Sequence, residues 1–542
     1  MNVLLIGINS KYIHPALAIY QLKENLNYDF VNATTKEFTI KDDALNIINY
    51  INDNSFSLVC FSVYIWNVKL VKEILQFYKN TPHKFKICLG GPEVSFEFDD
   101  YLEQDLCDYI IRGEGEIPFN ELVSAIYHNT SLYDVSNLSF KENNTIIKNK
   151  EKIFPLDNIK RATLSVHDYQ NRVVYLEASR GCPFKCSYCL ASTSNNVRFF
   201  NLDDIKYIIK KLIDDETKIV KFLDRTFNAR PEYTKEIIQY INDHNKKTSF
   251  QFEIVVDRLT PELIDLITNA NNFPIRFEVG IQTMNESVNK AINRYQNNDT
   301  LIKNIAILNN LEHVDLHLDL IAGLPLETLP MFIDSFNKVF KLNAKELQLG
   351  FLKCLKGTLI SKQKELHEYT FSNSAPYEVI NNKYMSKNDL DEIHLVEESL
   401  DLFYNSNRFN HTFKYFITKY NDHNFYYFLL DLSNYLMNEK FDFHKYQLYD
   451  LYYYFYLFMQ RFNDEELLFL IKKDYLLNNK TKPKRWWGKE KLDEEMIKCI
   501  LAHIDNKTID DIYRYSIVIK NKKHLFIIFY QNYQPQHFEF DV

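Results

Sequence analysis

Glycine is scarce in this chain, 11 of 542 residues, against 37 tyrosines and 41 phenylalanines. The few glycines at the ends of apolar runs therefore stand out as places where backbone must be approached closely. No uninterrupted run of ~20 apolar residues occurs, so no membrane-spanning helix is expected. A basic excess is also missing. Lys and Arg number 64 against 72 Asp and Glu, giving a net charge of −8 and a pI of about 6.1. That argues against a generally basic nucleic-acid binder, while a local basic groove stays compatible with the totals. The eight cysteines show no spacing of a secreted disulfide scaffold. The apolar start, residues 1–8, has no basic flank and no cleavage site, so no signal peptide is expected and the expected location is cytoplasmic. What is left is ordinary globular material, 46% hydrophobic and 25% charged, long enough for about three domains.

The most informative stretch is Glu177 to Cys189, which reads E-A-S-R-G-C-P-F-K-C-S-Y-C. Cys182, Cys186 and Cys189 form a C-x3-C-x2-C array with an aromatic residue before the third cysteine. Three thiolates this close can hold three irons of a cubane [4Fe–4S] cluster and leave the fourth iron open. Structural zinc would want a fourth ligand, usually from a second C-x2-C pair, and none lies nearby. The array calls for a reducing compartment.

Before the array, strands and helices alternate. Expected strands are residues 3–7, 57–63, 85–89 and 109–111, and expected helices are 15–26, 68–78 and 118–127. This is the pattern of a doubly wound, Rossmann-like parallel sheet, whose ligands lie at the carboxyl ends of strands. Asn9, Ser10 and His14 follow the first strand. Gly90, Gly91, Pro92 and Glu93 follow the third, and Gly113 and Glu114 follow the fourth. A connector with a hairpin near 138–147 spans residues 131–170. A second alternating series supplies expected strands at 173–178, 219–223, 250–255, 275–281, 314–321 and 346–351. These make a partial (β/α)6 TIM-like barrel with its chemistry at the carboxyl ends of the strands. Beyond residue 358 the chain turns aromatic-rich and mainly helical, with a hairpin expected at 515–530. In this part Lys484-Arg485-Trp486-Trp487-Gly488 could stack a flat ligand or base, though such a run is more often a packed aromatic pair with solvated cations. The expected domains are 1–130, 131–170, 171–358 and 359–542.

The cysteine array resembles the signature of the radical SAM superfamily, whose open iron chelates the amino and carboxylate groups of S-adenosylmethionine before an electron cleaves the sulfonium to a 5′-deoxyadenosyl radical. With the L-G-G-P-E run at 89–93 and I-R-G-E-G-E at 111–116, the chain as far as about Phe351 resembles radical SAM proteins with a cobalamin-binding domain. The remainder resembles an uncharacterised extension. The resemblance implies three cofactors: a [4Fe–4S] cluster on Cys182, Cys186 and Cys189, S-adenosylmethionine, and cobalamin. It places S-adenosylmethionine near Tyr188, Leu223, Asp224, Arg258, Glu278, Gln282 and Gly323. It places cobalamin near Asn9, Ser10, His14, Gly90, Gly91, Pro92, Glu93, Gly113 and Glu114. The D-x-H-x-x-G signature of cobalamin domains with a histidine ligand is absent, and His14 lacks the acidic partner that orients a metal-bound imidazole.

The leading expectation is methyl transfer to an unactivated carbon of a small-molecule or unknown substrate, with electrons from a donor such as flavodoxin or ferredoxin and no membrane or strong nucleic-acid signal. Two alternatives stay open. One is a radical methylthiotransferase acting on RNA or protein, which would need a second cluster, with Cys60, Cys88 and Cys107 as its thiols. The other is a non-catalytic iron–sulfur electron-transfer or sensor protein. Fold alone does not choose between them.

Overall fold

The structure is a computed structural model and describes residues 1–162, 171–193, 196–270, 273–504, 507–531 and 534–541. It divides into two compact units, Met1–Thr328 with Gly350–Ser386, and Leu329–Leu349 with Lys387–Val542. No helix among the described residues is long and apolar enough to cross a membrane.

The first unit opens with a sheet of β1 (Asn2–Asn9), β2 (Asn32–Thr39), β3 (Leu58–Ser62), β4 (Lys86–Gly90), β5 (Tyr109–Ile111), β6 (Leu138–Glu142) and β7 (Thr145–Lys148), in the order β2-β1-β3-β4-β5-β6-β7. The first five strands are parallel. The expected hairpin is β6–β7, and it continues the sheet antiparallel to β5. Residues 163–170 of the expected connector lie outside the described residues. Strand order reverses between β1 and β3, which is the switch point where sheets of this kind bind ligands. Both faces are covered. Val3, Leu5, Leu58 and Cys60 pack with Ile19 and Phe119 of the helices Leu17–Glu24 and Glu116–His128. Leu4, Ile6, Val59 and Phe61 pack with Ile47 and Val71 of Ala44–Asn52 and Val68–Lys79. Burial on two sides is why β1 and β3 read as continuous apolar runs. The exception is β2, an edge strand of sequence N-A-T-T-K-E-F-T with no fully buried residue, which an apolar-run reading passes over.

A second sheet contains β8 (Val174–Leu176), β11 (Ile219–Phe222), β12 (Ser249–Ile254), β13 (Ile275–Gln282), β14 (Val314–Ala322) and β15 (Glu346–Phe351), ordered β15-β14-β13-β12-β11-β8. A short antiparallel pair, β9 (Ser179–Arg180) with β10 (Arg198–Phe199), brackets the cysteine loop. The strands from β8 to β14 pair in parallel, giving the expected six-stranded open barrel. Burial alternates strictly along β12, β13 and β14. One row, including Phe252, Phe277 and Leu318, is buried. The other carries Glu253, Glu278, His317 and Asp319 and is half-buried.

The polar stretch 365–386 is bonded structure within the first unit. It contains β16 (Thr370–Phe371) and β17 (Val379–Asn381). The Tyr369 hydroxyl and the Asn382 amide donate to the Gly323 carbonyl at 2.9 and 3.0 Å.

The second unit is mainly helical, with Asn410–Lys419, Phe425–Asn438, Leu448–Met459 and Glu465–Leu477 among its helices. Its end is an antiparallel sheet of β18 (Ser516–Lys520), β19 (His524–Phe529) and β20 (Gln536–Asp541), so the expected hairpin gains a third strand. The helix Leu329–Phe340, which lies between β14 and β15 in sequence, belongs to this unit. Its Phe336 ring lies 5.7 Å from Tyr426, and its Phe340 ring 5.0 Å from Phe425.

Candidate functional site

The cysteine loop leaves the carboxyl end of β8. Gly181 takes φ +97°, a left-handed conformation that glycine adopts without strain. Cys182 and Cys186 are buried, Cys189 is half-buried, and all three are free thiols. The loop is pinned by Ser187, whose N–H donates to Ile292 O and whose carbonyl accepts from Ile360 N–H, each at 2.9 Å. Thr226 Oγ1 lies 3.4 Å from Cys182 Sγ, and Arg294 Nη1 lies 4.0 Å from Cys186 Sγ. Burial pushes the Cys189 thiol up from its ordinary value. Among the described residues no three His, Cys, Asp or Glu side chains gather around a single-ion position. The donor set thus fits a cluster: three reduced, sheltered thiols with hydroxyl and guanidinium donors beside two of them.

The predicted S-adenosylmethionine residues divide into two groups. Gln282 ends β13 with φ +69° at a break in register, and its Oε1 is buried without a hydrogen-bond partner. Its amide folds over Gly280, where a Cβ would lie 2.2 Å from Nε2. Gly323 also has positive φ, +85°, and Tyr188 is half-buried beside the last cysteine, its hydroxyl pushed up by burial. The other predicted side chains are differently engaged. Glu278 is paired with Lys221 at 2.7 Å within the barrel. Asp224 is only 2% exposed and accepts from Ala178 N–H at 2.9 Å and Ser179 Oγ at 2.5 Å. Burial pushes its carboxyl up to about 7, so it serves the start of the cysteine loop. The Leu223 N–H is used in the sheet, donating to Leu176 O at 2.8 Å. Arg258 is exposed on the turn Val256–Arg258. A cation beside the cysteine loop is Arg294, which also donates to Gly280 O and lies beside Tyr188. Glu253, half-buried on β12, has its carboxyl raised by burial, with Arg225 at 3.9 Å. Neither Arg294 nor Glu253 was read from the sequence.

The N-terminal candidates are engaged in several different ways. Asn9 donates to Glu37 at 2.7 Å, and Glu37 in turn pairs with Arg172. Glu93 is buried, accepts from the Tyr377 hydroxyl at 2.5 Å and pairs with Lys356 at 3.1 Å. Glu114 pairs with Arg198 and, at 3.3 Å, with Arg180. These three side chains each join segments distant in sequence. Gly91, φ +105°, is needed because a Cβ would lie 2.6 Å from Val63 O, so its backbone approaches the neighbouring strand end. Pro92 opens the short turn Pro92–Val94. His14 Nδ1 lies 2.8 Å from the Tyr175 hydroxyl, and burial lowers its pKa and favours the neutral ring. Ser10 is half-buried at the start of the same loop. Gly113 is exposed, and a Cβ there would meet nothing within 4 Å; at Gly90 it would meet only Ile111 O at 3.7 Å. The ends of β4 and β5 therefore leave room. Beside them Tyr64 and Trp66 stack at 4.3 Å with rings 7° apart, Trp66 45% exposed with its Nε1 on Ile8 O.

Residues 3–123 match the B12 binding domain family, 176–339 the radical SAM superfamily, and 365–542 a family described as a protein of unknown function, DUF4080. The chain is 24% identical over 285 residues to an uncharacterized methyltransferase, PH0819, of Pyrococcus horikoshii, covering 50% of this chain and 55% of that protein. It is 21% identical over 342 residues to the cobalamin-dependent radical SAM methyltransferase TokK of Streptomyces tokunonensis, covering 58% and 49%. The chain thus spans about half the length of these curated relatives. Its fold is similar to that of the cobalamin-dependent S-adenosylmethionine radical enzyme OxsB, solved with aqua-cobalamin and S-adenosylmethionine, with a TM-score of 0.64 at 14% identity over 88% of this chain and 78% of that one. The open barrel with its three-thiol loop at a strand end lies in the part that matches the radical SAM superfamily, the N-terminal parallel sheet in the part that matches the B12 binding domain, and the mainly helical end in the part that matches a family of unknown function.

Proposed function

We propose that this protein is a cobalamin-dependent radical SAM methyltransferase acting on a small-molecule carbon. The observation that carries the reading is the loop Cys182–Cys189 at the carboxyl end of β8, with Arg294 beside Cys186 and the partnerless Gln282 Oε1 across the barrel mouth. When bound, the cluster and S-adenosylmethionine would supply one-electron cleavage to a carbon radical, and cobalamin a transferable methyl group.

The residues have distinct tasks in this reading. Cys182, Cys186 and Cys189 hold the irons. Arg294 takes the methionyl carboxylate by a charge-assisted hydrogen bond, and the Glu253 carboxylate faces the ammonium. Gln282 bonds the ribose, and the backbone of Tyr188, Leu223 and Gly323 bounds the adenosyl moiety. In the N-terminal sheet, Ser10, His14, Gly90 and Gly113 edge the space for the corrin, with the Tyr64–Trp66 stack as a flat wall. The electrons come from a small reduced carrier such as flavodoxin or ferredoxin, in a reducing, intracellular setting.

The methylthiotransferase reading is disfavoured by the placement of its thiols. Cys60 and Cys88 are register partners inside the sheet and share one core, whereas Cys107 belongs to the core on the opposite face. Three thiols split across a sheet do not converge on one cluster.

The test is anaerobic. The reconstituted chain is titrated with hydroxocobalamin, then given S-adenosylmethionine labelled in its methyl group, a low-potential reductant and candidate acceptors. Saturable cobalamin uptake with 5′-deoxyadenosine formation is expected. Cluster-dependent 5′-deoxyadenosine without cobalamin uptake would leave a radical enzyme and remove the methyl-transfer reading.

A further inference from the structure

Residues 480–491, K-T-K-P-K-R-W-W-G-K-E-K, carry six cations and one acid. Among the described residues none of these six cations has a carboxylate partner, and Lys480, Lys482, Lys484, Lys489 and Lys491 are exposed. In a chain of net charge −8 this is a strong local reversal of sign. Burial and the neighbouring Arg485 and Lys489 charges lower the Lys482 ammonium, as expected of cations crowded without counter-ions. Such crowding costs stability, so packing explains the two tryptophans more readily than the number of cations around them.

The aromatic surroundings have the matching character. The Trp486 and Trp487 rings meet edge to face at 4.6 Å, and Lys472 and Lys484 lie over the Trp487 and Tyr449 rings at 5.6 and 5.4 Å. Lys482 Nζ donates to the Arg514 carbonyl at 2.7 Å. That bond places the strip against the end of the helix Ile509–Tyr515, where Tyr513 and Tyr515 are 60% and 43% exposed. Unpaired cations that can follow a phosphate backbone, beside exposed rings that can stack on bases, are the two components of single-strand recognition.

We propose that the strip 480–491, with Tyr513 and Tyr515, binds single-stranded nucleic acid. Phosphates engage Lys482, Lys484 and Arg485, and bases stack on the two tyrosines. The geometry specifies phosphates and bases, the chemistry common to RNA and DNA. The inference does not depend on the cofactors.

The experiment is fluorescence anisotropy of labelled 20-nucleotide oligo(U) and oligo(dT) with the full chain across a salt series. Saturable binding is expected, and tighter binding of oligo(U) would name RNA, tighter binding of oligo(dT) DNA. Lys482→Ala/Lys484→Ala/Arg485→Ala should weaken it at least tenfold and flatten the plot of log K against log salt by about 2, since each phosphate neutralised on a single strand adds about 0.7 to the slope. Tyr513→Ala/Tyr515→Ala should weaken it roughly tenfold at an unchanged slope. Should the triple alanine variant melt early, Lys482→Gln/Lys484→Gln replaces it and should give two-thirds of the slope change. Binding that is absent, that ignores these variants, or that occurs only to phosphatidylserine vesicles or to an acidic electron carrier overturns the proposal.

Discussion

The two parallel sheets use their strands in opposite ways. In the N-terminal sheet β1 is buried from Val3 to Asn9 without alternation, so its strands are structural throughout and anything chemical must lie in the loops at their ends. In the barrel sheet β13 and β14 alternate, and the inward row carries Arg276, Glu278, His317 and Asp319. The difference follows from what covers each face. Helices on both sides demand apolar residues everywhere, while a barrel with helices only outside leaves its inner row free to be polar. Substitutions in the first sheet should therefore register as stability, and those at the barrel mouth as ligand binding.

The comparison breaks most clearly at the cysteine loop. Cys182→Ala/Cys186→Ala/Cys189→Ala should bring iron and sulfide to background after anaerobic reconstitution while far-UV circular dichroism stays the same. An unchanged iron load would refute the cluster assignment. Next in size is Arg294→Met. It should retain iron and weaken S-adenosylmethionine binding roughly ten- to a hundredfold, the worth of a hydrogen bond to a charged group, as read by calorimetry. In the N-terminal sheet, Gly91→Ala should cost about 2 kcal/mol, because φ +105° strains any other residue and its Cβ would meet Val63 O. Denaturant unfolding reads that loss.

Within the barrel, Lys221→Met or Glu278→Gln alone should cost about 1–3 kcal/mol by stranding one charge of a pair that is 23% and 18% exposed. The double variant should recover most of it. The last effect is spread over pH and concerns Glu327, wholly buried, accepting from Thr283 Oγ1 at 2.6 Å and pushed up by burial to about 8. Its folded pKa lies above the unfolded value of 4.5, so the folded state holds the proton more tightly. That contribution is complete below about pH 4.5 and is lost as pH rises towards 8. Glu327→Gln should flatten the fall in stability across this window by at most about 1.4 kcal/mol per pH unit.

The cysteine array was legible because its meaning is local, three thiols within eight residues of chain. The buried strands were legible for the same reason. What escaped depends on residues distant in sequence. Arg294 stands 108 positions from Cys186, and nothing near it in sequence announces a cluster. Glu93 and Glu114 stand at strand ends, and their partners Lys356 and Arg198 lie 263 and 84 residues away. The close approach of Gly91 to Val63 O is likewise a contact that only the fold reveals. The strand β2 was missed because an edge strand needs no apolar run. Asp224 shows the same limit: its position after a strand suggested a ligand, while its two hydrogen bonds hold the start of the cysteine loop.

The helix Leu329–Phe340 gives the C-terminal region a particular standing in heredity. Its Phe332, Phe336 and Phe340 are buried, with Tyr426, Phe425 and Phe413 among their ring neighbours. A stop codon after residue 386 would preserve every strand and cysteine of the barrel and still strip those rings of their cover. Exposing three phenylalanines at roughly 2 kcal/mol each is comparable to the whole stability of a typical domain. A gene shortened there would encode a chain at the edge of unfolding, and the reading frame is bound to keep its unfamiliar end for as long as it keeps the familiar beginning.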